Sequence, residues 1–586
     1  MAVRYAVRER AHEDLLQDLL HARGVVGEPA TAEFLQPDFE RDSHDPFLLP
    51  DMAVAVERIL FAIKNGELIA VWSDYDCDGV PGGVLLCEFL QSIGASVVHY
   101  IPDRHIDGFG LNIAGIAELA ERGARLIITV DCGTTDVAQA TFAREKKIDL
   151  IITDHHLPLV SENSFSPAAG RRGDASENNF SSTQNLPPAV AVVNPHRTDS
   201  IYPFTELCGA GVAWKLVQAI LSKNRPEHFG EGQPFDYAQG KEKWLLDLVG
   251  IATLADMVPL VGENRMLASY GLRVLRRTRR EGLCALLKLL RINQATLAEE
   301  DVTFMVAPRI NAASRLEKAE TAARFLSSTL SSEEGGESAL KLNRINDERK
   351  GLVAAAMKHA HKQLRAREGV EDIIVIGSVD WRPGILGLIA QKLVEQEGKT
   401  VFVWGRGAGS SIKGSCRSGD GSNIVEIMRG AADLFDDFGG HDFAGGFSLG
   451  EDKVHQLYAR LASSHAALVH TPAGEKETIV DRELELADAF SVHQEIQKLA
   501  PFGVGNAKPL FLFPNVSIGR ARTFGKGDDH LELLLKKDNA QVAGVSFFKT
   551  PDSFQKTARE GTRADVVGHL ELDWRGSPRL RIVDVL

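Results

Sequence analysis

The sequence predicts a multidomain α/β chain that ends in a small β-barrel. Three observations carry this. Short, continuous apolar runs alternate with helical patterns from about Asp51 to Asp154, as in a parallel sheet buried on both faces. One helical pattern runs unbroken from Gly336 to about Glu368, and a second α/β pattern follows it. After about Thr478 the periodicity is mostly that of short strands. The 586 residues suffice for roughly three to five domains.

In chain order, residues 1–45 read as a polar lead-in with short helices, where Leu15, Leu16, Leu19 and Leu20 recur at helical spacing. Residues 46–330 form the first large domain. Met52–Ile63 is an amphipathic helix, and Leu68–Trp72, Arg125–Val130 and Asp149–Thr153 are its buried strands. Two polar stretches, Ser161–Pro188 and Arg225–Lys243, read as exposed insertions. Helical patterns dominate from Trp244 to about Leu297. Residues 331–370 are a connecting helix, and 371–470 a second α/β domain opening at Ile373. Residues 471–586 hold the barrel strands Val516–Arg520, Leu531–Leu535, Val542–Phe547, Val566–Asp573 and Arg579–Leu586. No internal repeat is present.

The hydrophobic fraction of 44% is ordinary for a globular protein. A net charge of −14 excludes a uniformly basic, nucleic-acid-coating surface, but leaves room for a basic groove on an acidic body. The six cysteines contain no Cys-x-x-Cys pair, which argues against a zinc ribbon and for a reducing compartment. The first residues lack an apolar core of signal-peptide length, and no uncharged apolar run reaches transmembrane length. A cytoplasmic location without membrane association is expected.

Chemistry enters at the strand ends. Asp74, Asp76 and Asp78 alternate directly after Leu68–Trp72. An isolated Asp-x-Asp is more often an acidic turn capping a helix. Here the pattern repeats. Asp131 follows the strand ending at Val130, and Asp154, His155 and His156 follow the strand ending at Thr153. Ligands in open α/β sheets bind outside the carboxyl ends of strands, and three such clusters imply one sheet-edge site. Asp256 ends an otherwise apolar helix and is either a fourth contributor or a terminal residue bonded to backbone. A mostly oxygen donor set with one or two imidazoles favours Mn²⁺ or Mg²⁺ over Zn²⁺. Several carboxylates at one site can hold two ions ~3.5–4 Å apart, the arrangement suited to phosphoester hydrolysis.

These residues resemble the DHH phosphoesterase superfamily, and within it the RecJ family of single-strand-specific DNA exonucleases. The resemblance rests on Asp74–Gly79, Ile101–Leu111, Asp131–Gly133, Asp154–His156 and Leu254–Leu260. It continues through Arg309–Ala312, Gly414–Ser418, Gly439–Gly446 and Pro501–Asn506. It runs in order along nearly the whole chain. It implies a DHH catalytic domain, a DHH-associated substrate-binding domain and an oligonucleotide-binding (OB) barrel. It also implies that Asp74, Asp76, Asp131, His155 and Asp256 ligate metal, that Asp78 is a ligand or supports one, and that His156 lies near the scissile phosphate. Arg104 is expected on that phosphate or its neighbour. Arg309, Ser415, Arg417, Ser418 and His441 are expected to cradle substrate phosphates, a task suited to an arginine fork and a glycine-lined backbone. Departures from the family pattern include Phe109 where tyrosine is common and Arg382 where histidine is usual.

The function so implied is 5′→3′ exonuclease action on single-stranded DNA, releasing 5′-mononucleotides in DNA repair and recombination. An alternative is a phosphodiesterase for short oligonucleotides or cyclic dinucleotides. A catalytically silent DNA-binding scaffold is another. The basic run Arg273–Arg280 reads either as a steering patch for a phosphate backbone or as a solvated helix face. No Walker-type phosphate loop is present, so a separate helicase would supply single strands, with a single-strand-binding protein as a further partner.

Overall fold

The computed structural model describes residues 4–159, 184–223, 241–367, 372–407, 411–468, 477–525, 527–573 and 576–586. Most of each expected insertion, 161–188 and 225–243, lies outside the described residues. The chain forms two compact units. One comprises Met1–Asp42, Pro259–Arg265 and Pro472–Leu586; the other comprises Ser43–Val258 and Met266–Thr471.

The chain opens with strand β1 (Arg4–Val7) and helix α1 (Leu15–Ala22), which belong to the first unit. The second unit starts at helix α2 (Met52–Lys64) and strand β2 (Leu68–Ser73), followed by α3 (Gly79–Ser92), β3 (Ser96–Tyr100), α4 (Ile113–Glu121) and β4 (Ala124–Val130). Then come α5 (Val137–Glu145), β5 (Asp149–Thr153), β6 (Ala191–Val193) and α6 (Gly209–Lys223). The five strands form one parallel sheet in the order β3-β2-β4-β5-β6. The central strands are the continuous apolar runs, buried on both faces as such strands must be. Strands β3 and β6 are edges. One is half-exposed and the other has three residues, so neither carries the uninterrupted apolar signature.

Helix α7 (Leu246–Ala255) is buried along most of its length. Helix α8 (Ala307–Leu316) leads towards α9 (Ser332–Arg365), the long helix. It begins four residues before Gly336. Ser331 Oγ accepts from the Glu334 amide at 3.3 Å while the Glu334 carboxylate accepts from the Ser331 amide at 3.0 Å. This capping box overrides the helix-weakening glycines just beyond it.

The second sheet is mixed, in the order β10-β11-β9-β8-β7. It is built from β7 (Ile373–Ser378), β8 (Thr400–Arg406), β9 (Ser411–Arg417), β10 (Asp437–His441) and β11 (Ala444–Gly450), with α10 (Pro383–Glu397) between β7 and β8. Only β7 and β8 pair in parallel.

In the first unit, β12 (Glu477–Val480) pairs in parallel with β1. Short β13 (Arg482–Glu483) leads to the barrel strands β14 (Phe511–Phe524), β15 (His530–Lys537), β16 (Ala540–Ser546), β17 (Arg563–Leu572) and β18 (Pro578–Val585). The last five close on themselves because β14 pairs with both β15 and β17. Strand β14 is therefore much longer than the expected Val516–Arg520. It turns between its two partners where the register shifts near Asn515, which has φ 54°. Leu15, Leu19 and Leu20 of α1 are buried in the core formed with Phe511, Phe513 and Leu535. Asp18, fully buried, pairs with Arg8 at 2.9 Å and Arg482 at 3.5 Å. The lead-in is thus an integral layer of the barrel unit.

Candidate metal centre

The backbone ladder sets the site. Ser73, Val130, Thr153 and Val193 are register partners across β2, β4, β5 and β6. One residue further, the Asp74 amide donates to Val130 O at 3.1 Å, that of Asp131 to Thr153 O at 3.0 Å, and that of Asp154 to Val193 O at 3.2 Å. Three aspartates from three strands therefore stand in a row at one sheet edge. Asp131 has φ 65°, a left-handed conformation that costs a non-glycine residue about 1 kcal/mol. Gly209, first residue of α6, packs on it. A Cβ at Gly209 would come 2.4 Å from the Asp131 Cβ. Gly79 likewise leaves no room for a Cβ, which would meet Asp74 O at 2.6 Å.

Ligand atoms converge in three overlapping groups, each with its atoms within 4.8 Å: Asp74, Asp76 and Asp131; Asp131, His155 and His156; Asp78, His155 and Asp256. The structure thus brings together every expected metal ligand. Asp256, at the C-terminus of α7, has its Oδ2 3.8 Å from His155 Nε2. Asp76 also accepts from the amides of Asp78 and Gly79 at 2.8 and 3.1 Å, so it caps the turn while standing in the cluster.

Asp78 has a second task. It is 1% exposed, and its two oxygens accept from the Gly209 and Ala210 amides at 2.6 and 2.8 Å. A carboxylate at a helix N-terminus satisfies orphan donors and complements the dipole. Its Oδ2 is 3.8 Å from His155 Nε2, at the rim of the cluster.

The charge balance asks for cations. Burial first, and then the neighbouring carboxylates, push Asp74 and Asp131 well above the usual carboxylate range. Burial, Asp78 and Asp76 push Asp256 up to about 9. Asp74 Oδ1 and Asp131 Oδ1 are buried without a hydrogen-bond partner. Asp131 Oδ1 does lie 3.1 Å from His155 Nε2, but without hydrogen-bond alignment. Such mutual repulsion and unmet lone pairs are removed by a bound cation. The oxygen-rich donor set with imidazole fits Mn²⁺ or Mg²⁺.

Asp154 works differently, and its sequence position gave no sign of it. Oδ1 faces the His155 amide at 2.8 Å, the His156 amide at 3.2 Å and His156 Nδ1 at 2.7 Å, while Oδ2 accepts from the Thr134 amide at 2.9 Å. Burial opposes its ionisation, but the bond and charge of His156 hold it well below the usual range. For His156, burial opposes protonation, and Asp154 outweighs it, raising the ring to about 9.

Arg104 lies with Cζ 4.8 Å from the centroid of the Tyr75 ring. On the second sheet, Arg417, Ala444 and His441 are register partners on neighbouring strands, as are Ser415, Gly446 and Gly439. Ser415 and Arg417, two apart on β9, share a face, and Arg417 Nη1 donates to Ser415 Oγ at 3.2 Å. The Ser418 amide donates to Phe443 O at 2.9 Å. Arg309 is 4% exposed, and its fork is bonded to Asn343 Oδ1 at 3.0 and 3.1 Å, inside the α8–α9 packing.

Two residues escaped sequence reading. Partly buried Arg315, depressed to about 9 by burial and by Arg104 and Arg349, donates to Gly384 O at 3.1 Å. Asn311 Oδ1 accepts from the Cys77 amide at 3.0 Å and so fixes the loop between Asp76 and Asp78. Asn311 lies inside the Arg309–Ala312 run, but only the fold shows its partner. In the basic run, Arg280 is buried against Asp247 and Glu88, at 2.8 and 2.9 Å, while Arg276, Arg277 and Arg279 are exposed. Arg382 pairs with Glu348 at 3.2 Å on the surface.

Residues 68–253 match the DHH family, N-terminal domain; 347–464 match the DHHA1 domain; 480–584 match the RecJ OB domain. The chain is 34% identical over 579 residues to the single-stranded-DNA-specific exonuclease RecJ of Bacillus subtilis, covering 97% of this chain and 67% of that one. It is 30% identical to the enzyme of the same name from Salmonella typhimurium, covering 82% and 80%. Among solved structures, RecJ of Thermus thermophilus in complex with Mn²⁺ aligns with a TM-score of 0.75 at 28% identity, covering 100% of this chain and 79% of that one. The same protein in complex with Mg²⁺ aligns at 0.70 and 27%, covering 100% and 78%.

Proposed function

The chain belongs to the RecJ family of single-stranded-DNA-specific exonucleases, and from that premise we propose that it hydrolyses single-stranded DNA from the 5′ end and releases 5′-mononucleotides. The observation that carries the reading is the convergence of Asp74, Asp76, Asp131, His155, His156, Asp78 and Asp256 at one sheet edge.

Asp74, Asp76, Asp131, His155 and Asp256 hold Mn²⁺ or Mg²⁺ in this proposal, with Asp78 as a ligand that also anchors α6. Ions held there would supply the Lewis-acid charge that phosphodiester hydrolysis needs. The protein's own groups do the rest. Asp154 fixes the His156 ring through Nδ1, leaving Nε2 as the ring nitrogen available to a phosphate oxygen. Arg104, Ser415, Arg417, Ser418 and His441 hold phosphates of the strand; Arg309, expected among them, is instead buried and bonded to Asn343, and its role here is to support the packing of α8 on α9. The barrel binds the strand further along, since such barrels hold single strands by stacking and backbone contacts.

Among the described residues no helix is long and apolar enough to cross a membrane. The proposed setting is cytoplasmic DNA repair and recombination, where a separate helicase and a single-strand-binding protein deliver the substrate. The test is incubation with Mn²⁺ and 5′- or 3′-labelled single strands, duplexes, dinucleotides and cyclic dinucleotides. Mononucleotides released from the 5′ end of long single strands are expected. Activity confined to dinucleotides, or binding without cleavage, would contradict the reading.

A further inference from the structure

We propose that Asp136 is a positioning residue, latching the loop 101–111 beside the metal centre so that Phe109 and Arg104 are presented to the substrate; the substrate part rests on the exonuclease reading above. Asp136 occupies the N-cap position of α5, yet its side chain makes no bond to that helix. Its Oδ2 instead accepts from the Leu111 amide at 2.7 Å. The residue before, Gly110, has φ +84°, and a Cβ there would lie 2.6 Å from the same Oδ2. The carboxylate therefore rests against a bare backbone that only glycine supplies.

The loop is tied elsewhere too. Asp107 Oδ2 accepts from the Asp103 amide at 2.7 Å and Asp103 Oδ1 from the His105 amide at 2.8 Å, which winds the loop on itself. His105 Nε2 lies 3.1 Å from Arg315 O. Between that tie and Asp136, the loop presents Phe109, half-exposed, with its ring edge-to-face to His156 at 5.3 Å. Arg104 leaves the same loop to lie over Tyr75. Burial, with Asp154 nearby, pushes Asp136 up to about 6 against the pull of the Leu111 amide and of His156. Near neutral pH it remains an anion, and a charge-assisted bond is shorter and stronger than a neutral one.

The experiment uses the full chain with Asp136→Ala, Asp136→Asn, Phe109→Ala and the Asp136→Ala/Phe109→Ala pair. Hydrogen exchange at the Leu111 amide, read in EDTA without DNA, is expected to quicken about tenfold or more in Asp136→Ala and to return towards wild type in Asp136→Asn, whose amide oxygen still accepts. With Mn²⁺ and a single-stranded oligonucleotide, Asp136→Ala is expected to raise KM about tenfold with kcat within about threefold, Asp136→Asn to recover most of that loss, and the losses in the double variant to fall short of additive. Unchanged Leu111 exchange in Asp136→Ala overturns the latch. Faster exchange with unchanged KM, or strictly additive losses in the pair, overturns the positioning role. Faster exchange in a protein whose wild type degrades no strand upholds the latch and overturns the exonuclease reading instead.

Discussion

His156 Nδ1 lies 2.7 Å from Asp154 Oδ1 at the end of β5, and buried Asp154 thereby orients the second, partly exposed histidine of the tandem. The first histidine faces Asp131, Asp78 and Asp256. Adjacent in sequence, the two rings stand 66° apart with centroids at 4.7 Å and serve different partners. Asp154→Asn keeps the shape and removes the charge. We expect kcat to fall roughly 10²–10³-fold, the scale of a lost acid–base group, and the melting temperature to fall too, because the new amide NH₂ would face a backbone donor such as the Thr134 amide. Steady-state kinetics and a thermal melt check both halves.

Asp131→Ala is expected to abolish turnover while the protein stays folded. The apo form should be no less stable than wild type, because one of several repelling buried carboxylates is gone. Mn²⁺ at about 100 times its Kd stabilises a binding protein by about 2.7 kcal/mol. Wild type should show that rise in melting temperature, and Asp131→Ala should show little of it.

Asp78→Ala tests a different property of the same cluster. Removing its carboxylate leaves the Gly209 and Ala210 amides without their acceptor. Each buried orphan costs about 1–3 kcal/mol, so the variant should lose stability even in EDTA. A metal-free melt equal to wild type would show that the anchor at α6 carries no weight.

Asp420 provides a pH test away from the metal centre. Burial works against its charge, but bonds from Thr400 Oγ1 at 2.6 Å, the Ser422 amide at 3.0 Å and His465 Nε2 at 3.1 Å bring it down to about 2 from an ordinary 3.8. A carboxylate depressed on folding stabilises above its unfolded value, and the contribution is lost as pH falls through the folded one. Asp420→Asn should therefore be less stable than wild type at pH 5 and above. The gap should close between pH 3.8 and about 2, as followed by urea midpoints against pH.

Much of the centre was legible because parallel strands buried on both faces read as plain apolar runs, so the residues just after each run must lie at the carboxyl edge. That logic located Asp74, Asp131, His155 and His156. It could not separate ligand from orienter, since Asp154 and Asp131 follow their strands identically. The difference lies in bonds, with Asp154 saturated by amides and an imidazole and Asp131 left with an oxygen that has none. Asn311 and Arg315 act through contacts with Cys77 and Gly384, far away in sequence. Edge strands β3 and β6 were missed for the opposite reason: half-exposed or short, they lack the apolar run that marks a buried strand.

The pairing of β1 with β12 also has a temporal side. Arg482 donates to Glu13 O across 469 residues of chain, so α1 emerges from the ribosome long before its partners exist. At roughly 5–20 residues per second the delay is roughly 25–95 s. During it Leu15, Leu19 and Leu20 have no barrel core to enter, and the segment is a natural client for whatever shields nascent apolar helices. The intervening sheet and long helix can meanwhile fold as a separate unit, so the barrel unit is completed last.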